Sequence, residues 1–147
     1  MRIQITGSRD FTDYEQVKDA IAYTIGEVDM DEPVLIVSGH AKGADSLAER
    51  VAESYGLPLE LHPAEWGKHY LPGSDLPEGA TLHCPANHKG LGLCKMAGIR
   101  RNQVMLSRKP DVLLAFKKEG AANKGTQHMI DEAKRRGITV WEYVEAE

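Results

Sequence analysis

Three short stretches of the chain combine glycine, cations and hydroxyls in a way that suits an anion. They are Thr6-Gly7-Ser8-Arg9, then Ser38-Gly39-His40-Ala41-Lys42-Gly43-Ala44-Asp45, and finally Lys117 to Lys124 followed by Gly125-Thr126. Glycine lets backbone turn tightly and bring its N–H groups up to a ligand, and helix N-termini add partial positive charge. Arg9, Lys42, Lys117, Lys118 and Lys124 lie in these stretches, so their site would be locally cationic on a chain of formal net charge -4. Ser8, Ser38 and Thr126 are candidate donors to phosphate oxygens, or helix N-caps. Asp45 is placed either to hold a ribose hydroxyl or to interact with its own helix N-terminus. Trp66 is a candidate to stack on a base, or a packed core residue. His40 and His128 titrate near neutrality and are candidate general bases, although the sequence shows no partner for either. No Walker A ending and no G-x-G-x-x-G after the first strand are present, which argues against ordinary kinase and dehydrogenase readings.

The elements that must carry these residues are legible as an alternation. Arg2 to Thr6 reads as a strand, followed by a helical stripe of Val17, Ala20, Ile21, Ile25 and Val28 with a capping-box pattern at Thr12 and Glu15. Val34 to Val37 is short and wholly apolar, as in a parallel strand buried on both faces. A helix carrying Leu47, Ala48, Val51, Ala52 and Tyr55 should end at Gly56. Leu59 to His62 reads as a strand, Ile99 to Leu106 as a helix and Asp111 to Phe116 as a strand. Met129, Ile130 and Ala133 mark a last helix stopped by Gly137, and Ile138 to Val144 a fifth strand. The fold class expected is α/β: one Rossmann-like domain over 1–147, mainly a parallel sheet of about five strands with helices on both faces. Ligands of such sheets bind beyond the strand carboxyl ends, where strand order reverses.

The 147 residues are 41% hydrophobic and 27% charged, with two cysteines, which fits a folded domain rather than a disordered or disulfide-stapled chain. No apolar run approaches the roughly 20 residues needed to span a bilayer. With no signal-peptide pattern at its start, the chain is expected in the cytoplasm. The acidic balance makes a nucleic-acid partner an unfavoured reading. One stretch breaks the rhythm: 67–98 holds six Gly, three Pro, both cysteines and no convincing period, and reads as an insertion. His69, His83, Cys84, His88 and Cys94 concentrate there. His83, Cys84, His88 and Cys94 form a candidate zinc set, though their spacing matches no zinc-finger pattern; the alternative is a lid with free thiols.

Ile5-Thr6-Gly7-Ser8-Arg9-Asp10-Phe11, Val37 to Asp45, Ala64-Glu65-Trp66, Arg101-Asn102-Gln103-Val104-Met105 and Lys124-Gly125-Thr126 occur in order. Together they resemble the YspA and cpYpsA-related branch of the SLOG superfamily, a group found in bacteria and phages. The resemblance implies a Rossmann-like domain, often dimeric, that binds nucleotides or nucleotide-derived ligands without a required cofactor. It points to Gly7, Ser8, Arg9, Ser38, Gly39, His40, Lys42, Gly43, Asp45, Trp66, Arg101, Asn102, Gly125 and Thr126 as ligand-binding residues. The related LOG-type phosphoribohydrolases cleave an N-glycosidic bond with a helix Arg, matching Arg101 or less well Arg100, and a Glu three residues after the Thr of Gly-Thr. Here that position is Met129, and Asp131 and Glu132 lie about 100° and 200° round the helix from it. Binding, as sensing or sequestration, is therefore expected over hydrolysis. Single-stranded DNA binding, as in the related DprA proteins, is disfavoured by 6% aromatics and an acidic total.

Overall fold

The computed structural model describes residues 1–27, 31–90 and 92–147. Five strands form one all-parallel sheet: β1 (Arg2–Gly7), β2 (Leu35–Ser38), β3 (Leu59–Leu61), β4 (Val112–Lys118) and β5 (Thr139–Glu145). Their order is β3-β2-β1-β4-β5, so the winding reverses between β1 and β4. The helices are α1 (Tyr14–Gly26), α2 (Ala44–Tyr55), α3 (Ala97–Ser107) and α4 (Lys124–Arg135). The α/β expectation holds.

Period 2 in β1 decides which layer each side chain joins. Ile3 and Ile5 are buried with Val17, Ile21, Val51 and Phe116 beneath α1 and α2. Gln4 is turned to the other layer, where its Nε2 donates to Met129 Sδ at 3.4 Å, beside Met105 and Leu113 under α3 and α4. Both faces of the central strands are thus covered, as parallel sheets require.

Several boundaries correct the sequence reading. The capping box does not form. Asp13 caps α1 by accepting from Gln16 N at 3.1 Å, while Thr12 donates through N and Oγ1 to the Glu145 carboxylate at the end of β5. A neighbouring carboxylate with two acceptor oxygens outcompetes the local cap. Val28 lies outside the described residues. Gly56 and Gly137 do take left-handed conformations at their helix ends. Among its described residues, the excursion after β3 contains only a 3-10 turn, Ala86–His88, before α3 begins at Ala97. No described helix is long and apolar enough to cross a membrane.

Phe116 ties this core to the carboxyl edge. Its ring lies 5.3 Å from Phe11, edge-on, and 5.2 Å from Tyr143, stacked, while its carbonyl accepts from Ser8 N at 2.8 Å. Phe116→Ala should cost about 3–5 kcal/mol of stability. Urea unfolding will check this as a lowered midpoint with unchanged slope.

Candidate functional site

Two loops at the carboxyl edge approach each other as closely as backbone can. A Cβ on Gly43 would lie 2.2 Å from Ser8 O, and one on Gly7 would lie 2.3 Å from Ala44 Cβ. Ser8 O accepts from Ala44 N at 3.3 Å, which seats the start of α2 beside the β1 loop. Neither α2, whose N-cap is Gly43, nor α4, whose N-cap is Asn123, receives a side-chain cap. Their N-terminal N–H groups and dipoles are therefore offered at the sheet edge.

A two-lobed cleft opens there. The smaller lobe, about 460 Å³, is walled by Gly7, Ser8, Asp45, Asn102, Gly125, Thr126 and His128 among others. The larger, about 1020 Å³, is walled by Gly39, His40, Lys42, Pro63, Ala64 and Leu93 among others. Arg9, Trp66, Lys95 and Arg101 wall both. Trp66 is 38% exposed, with the Arg9 guanidinium 5.7 Å from its ring centroid, so the core reading of this residue is replaced by an open aromatic face.

Adjacent arginines on α3 diverge, since neighbours in a helix are about 100° apart. Arg101 enters the cleft, its Nη1 donating to Gly39 O at 2.6 Å and its Nε to Asn102 Oδ1 at 3.0 Å. Burial pulls the Arg101 guanidinium below its ordinary value, opposed by Asp45 and reinforced by Arg9. Arg100 points instead into the excursion, where its Nε donates to Leu82 O at 3.0 Å. Among the described residues, Arg9, Lys42, Lys95, Arg101 and Lys124 form no ion pair. Lys117 and Lys118, by contrast, are held by Glu142 and Glu145 of β5 at 3.2 and 3.1 Å and wall neither lobe.

Asp45 is the acidic member of the cleft. It is 6% exposed; its Oδ2 accepts from Ala41 N at 3.2 Å, while its buried Oδ1 has no partner among the described residues. Burial pushes its carboxyl up to about 6, against the pull of the Ala41 N–H and Arg101.

Ser38 is fully buried and does not wall the cleft: its hydroxyl donates to Glu49 Oε2 at 2.9 Å and accepts from His40 N at 3.1 Å. The other oxygen of Glu49 lies 2.9 Å from His40 Nδ1. Because a carboxylate only accepts, His40 carries its proton on Nδ1 and turns Nε2 outward from the pair. His40 also has a left-handed backbone, φ 57°, held by the Ser38 bond. Sequence reasoning found no partner for His40. Glu49 sits one helical turn beyond Asp45 on α2, and that i, i+4 spacing was the available signal. His128 walls the smaller lobe with a buried Nδ1 that has no partner among the described residues. Lys95 is a cleft residue that the sequence motifs did not mark.

Met129 is 2% exposed and packed under the sheet. Asp131 bonds Gln127 at 2.8 Å, and Glu132 pairs with Arg135 at 2.6 Å. None of the three walls either lobe of the cleft.

A parallel five-stranded sheet wound in this order, with its cleft at the reversal point, defines a Rossmann-like α/β protein. Residues 1–69 carry the signature of the YspA, cpYpsA-related SLOG family, so the resemblance drawn from the motifs holds over that span. No curated protein matches the chain. Among solved structures, the fold is similar to DNA processing protein A (DprA) from Streptococcus pneumoniae, with a TM-score of 0.50 and 16% identity. That match covers 95% of this chain, which spans only 58% of the DprA structure.

The Asp45 carboxyl yields a pH signature. Its folded value, about 6, is above its ordinary 3.8, so its contribution to stability is fully present below 3.8 and is lost as pH rises through 6. Asp45→Asn should therefore stabilise the ligand-free protein by up to about 3 kcal/mol above pH 6, and by little near pH 3. Unfolding free energies of both forms between pH 3 and 8 will show the two curves diverging as pH rises.

Proposed function

We propose that the cleft binds a nucleotide or nucleotide-derived anion, acting as a sensor or sequestering module. The observation that carries this reading is the set of cations around the cleft that no carboxylate pairs: Arg9, Lys42, Lys95, Arg101 and Lys124. Such a cluster is self-repelling until an anion enters, and the uncapped ends of α2 and α4 add donors to the same lobe. The smaller lobe suits phosphate, and the larger, with Trp66, Pro63 and Leu93, suits a base. Asp45 Oδ1 is left to accept from a ribose hydroxyl. Calorimetry against a panel of mononucleotides, dinucleotides and cyclic forms is expected to find a binder. Arg9→Ala should weaken it by about ten- to a hundredfold, equivalent to about 1.5–3 kcal/mol for a charge-assisted contact. Silence across the whole panel would overturn the reading.

The His40–Glu49 pair favours a second reading, hydrolysis of the bound nucleotide's N-glycosidic bond. A carboxylate-oriented imidazole is a ready general base for water. The LOG-type route lacks its acid, because Met129 lies in the core. Chromatography after incubation with nucleoside monophosphates should therefore detect no free base. Turnover on the order of 1 s⁻¹ that His40→Ala abolishes would establish the second reading instead.

A further inference from the structure

The excursion after β3 folds two imidazoles and two thiols together, with Cys94 also lining the larger lobe of the cleft. The nearest ligating atoms of His69, Cys84 and His88 all lie within 4.8 Å of one another. Cys94 Sγ is 3.5 Å from Cys84 Sγ, and both cysteines are free thiols, 0% and 1% exposed. His83 is elsewhere, its Nε2 on Ser74 O at 2.7 Å, so His69 takes the place that the sequence set assigned to His83.

Three features distinguish this cluster from an ordinary buried polar group. His69 Nε2 lies 2.8 Å from Gly92 O, and a carbonyl only accepts, so the proton of a neutral His69 sits on Nε2 and Nδ1 presents a lone pair. That Nδ1, like Nδ1 of His88, is buried with no partner among the described residues. Buried polar atoms are seldom left unmatched, and a backbone carbonyl on the far nitrogen is how metal-ligating histidines are fixed. Second, Arg100, 3% exposed, donates to Cys84 Sγ at 3.0 Å, with Cys94 Sγ at 3.8 Å from its other terminal nitrogen, and forms no ion pair among the described residues. The two sulfurs are the buried side-chain acceptors that its terminal nitrogens meet. Third, the excursion has little core of its own: Cys84, Cys94 and Ala97, with Ala64, Leu71 and Met96 around them.

We propose that His69 Nδ1, Cys84 Sγ, His88 Nδ1 and Cys94 Sγ bind one zinc ion as a closed structural site. Two thiolates and two imidazoles select zinc over oxygen-seeking cations, and four protein ligands leave no position for catalysis. Zinc bonds of about 2.0–2.3 Å put tetrahedral ligands roughly 3.3–3.8 Å apart; the thiol pair, at 3.5 Å, is already at that spacing, and the His69, Cys84 and His88 atoms, within 4.8 Å of one another, would draw together around the ion. Binding displaces two thiol protons into solvent and involves no redox change. Arg100 acts as a positioning residue, donating to the metal thiolate. Because Cys94 and Lys95 also wall the cleft, the ion would hold that wall, but the proposal does not depend on what the cleft binds.

The test uses the full chain purified under reductant, incubated with zinc chloride and dialysed against metal-free buffer. Elemental analysis should give one zinc per chain, and cobalt(II) in its place should give thiolate charge-transfer absorption with the intense visible bands of a tetrahedral site. His69→Ala should lose stoichiometric metal, whereas His83→Ala should keep it. Substoichiometric zinc together with no cobalt–thiolate band in the wild-type protein would overturn the site. So would retention of zinc by both His69→Ala and His88→Ala, or a Cys84–Cys94 disulfide that persists under reductant while no metal is taken up. The cobalt spectrum of the unmutated chain keeps the test decisive if a variant fails to fold.

Discussion

The contact on which the carboxyl edge depends is the one between the β1 loop and the first turn of α2. Ser8 O reaches Ala44 N only because Gly43 has no side chain, and Gly43 adopts φ +78°, a region that L side chains rarely occupy. Gly7 makes the matching allowance toward Ala44 and Phe116. These approaches pull the end of β1, the start of α2 and the end of β4 to one point, which is also where strand order reverses. Any cleft there is lined by backbone N–H groups before a single side chain is considered.

Side chains then load that frame with unbalanced charge. Arg101 is drawn into partial burial by carbonyl acceptors, Gly39 O and His62 O, which satisfy its hydrogen bonds but not its charge. Asp45, the nearest acid, is so desolvated that it gives up part of its own ionisation. A folded protein that holds unpaired cations beside a desolvated acid is less stable than it could be. Core and site are coupled: Phe116 anchors Ser8 through its carbonyl and the aromatic cluster through its ring.

The excursion obeys a different logic. Its described residues contribute no strand to the sheet, and bonds that tie it to the body include Cys94 N to Trp66 O at 2.6 Å and Thr81 N to Gln103 Oε1 at 2.9 Å. Its apolar cluster is small, and the same segment supplies Lys95 and Leu93 to the cleft.

Apolar period and glycine position are local properties, and by themselves they determined the α/β class, the order of elements, the helix stops at Gly56 and Gly137, and the three loops of the carboxyl edge. Partners distant along the chain were settled only by tertiary structure. Thr12 abandoned its local box for Glu145, and Ser38 turned from the cleft to Glu49, which in turn orients His40. Trp66 opened onto the cleft instead of entering the core, Lys117 and Lys118 were neutralised by β5, and His69 rather than His83 met Cys84 and His88. Each of these depends on which side chains the folded backbone brings within a few ångströms. Hydrogen bonds and charge pairs act only over such distances, and the apolar period that encodes the elements does not encode them.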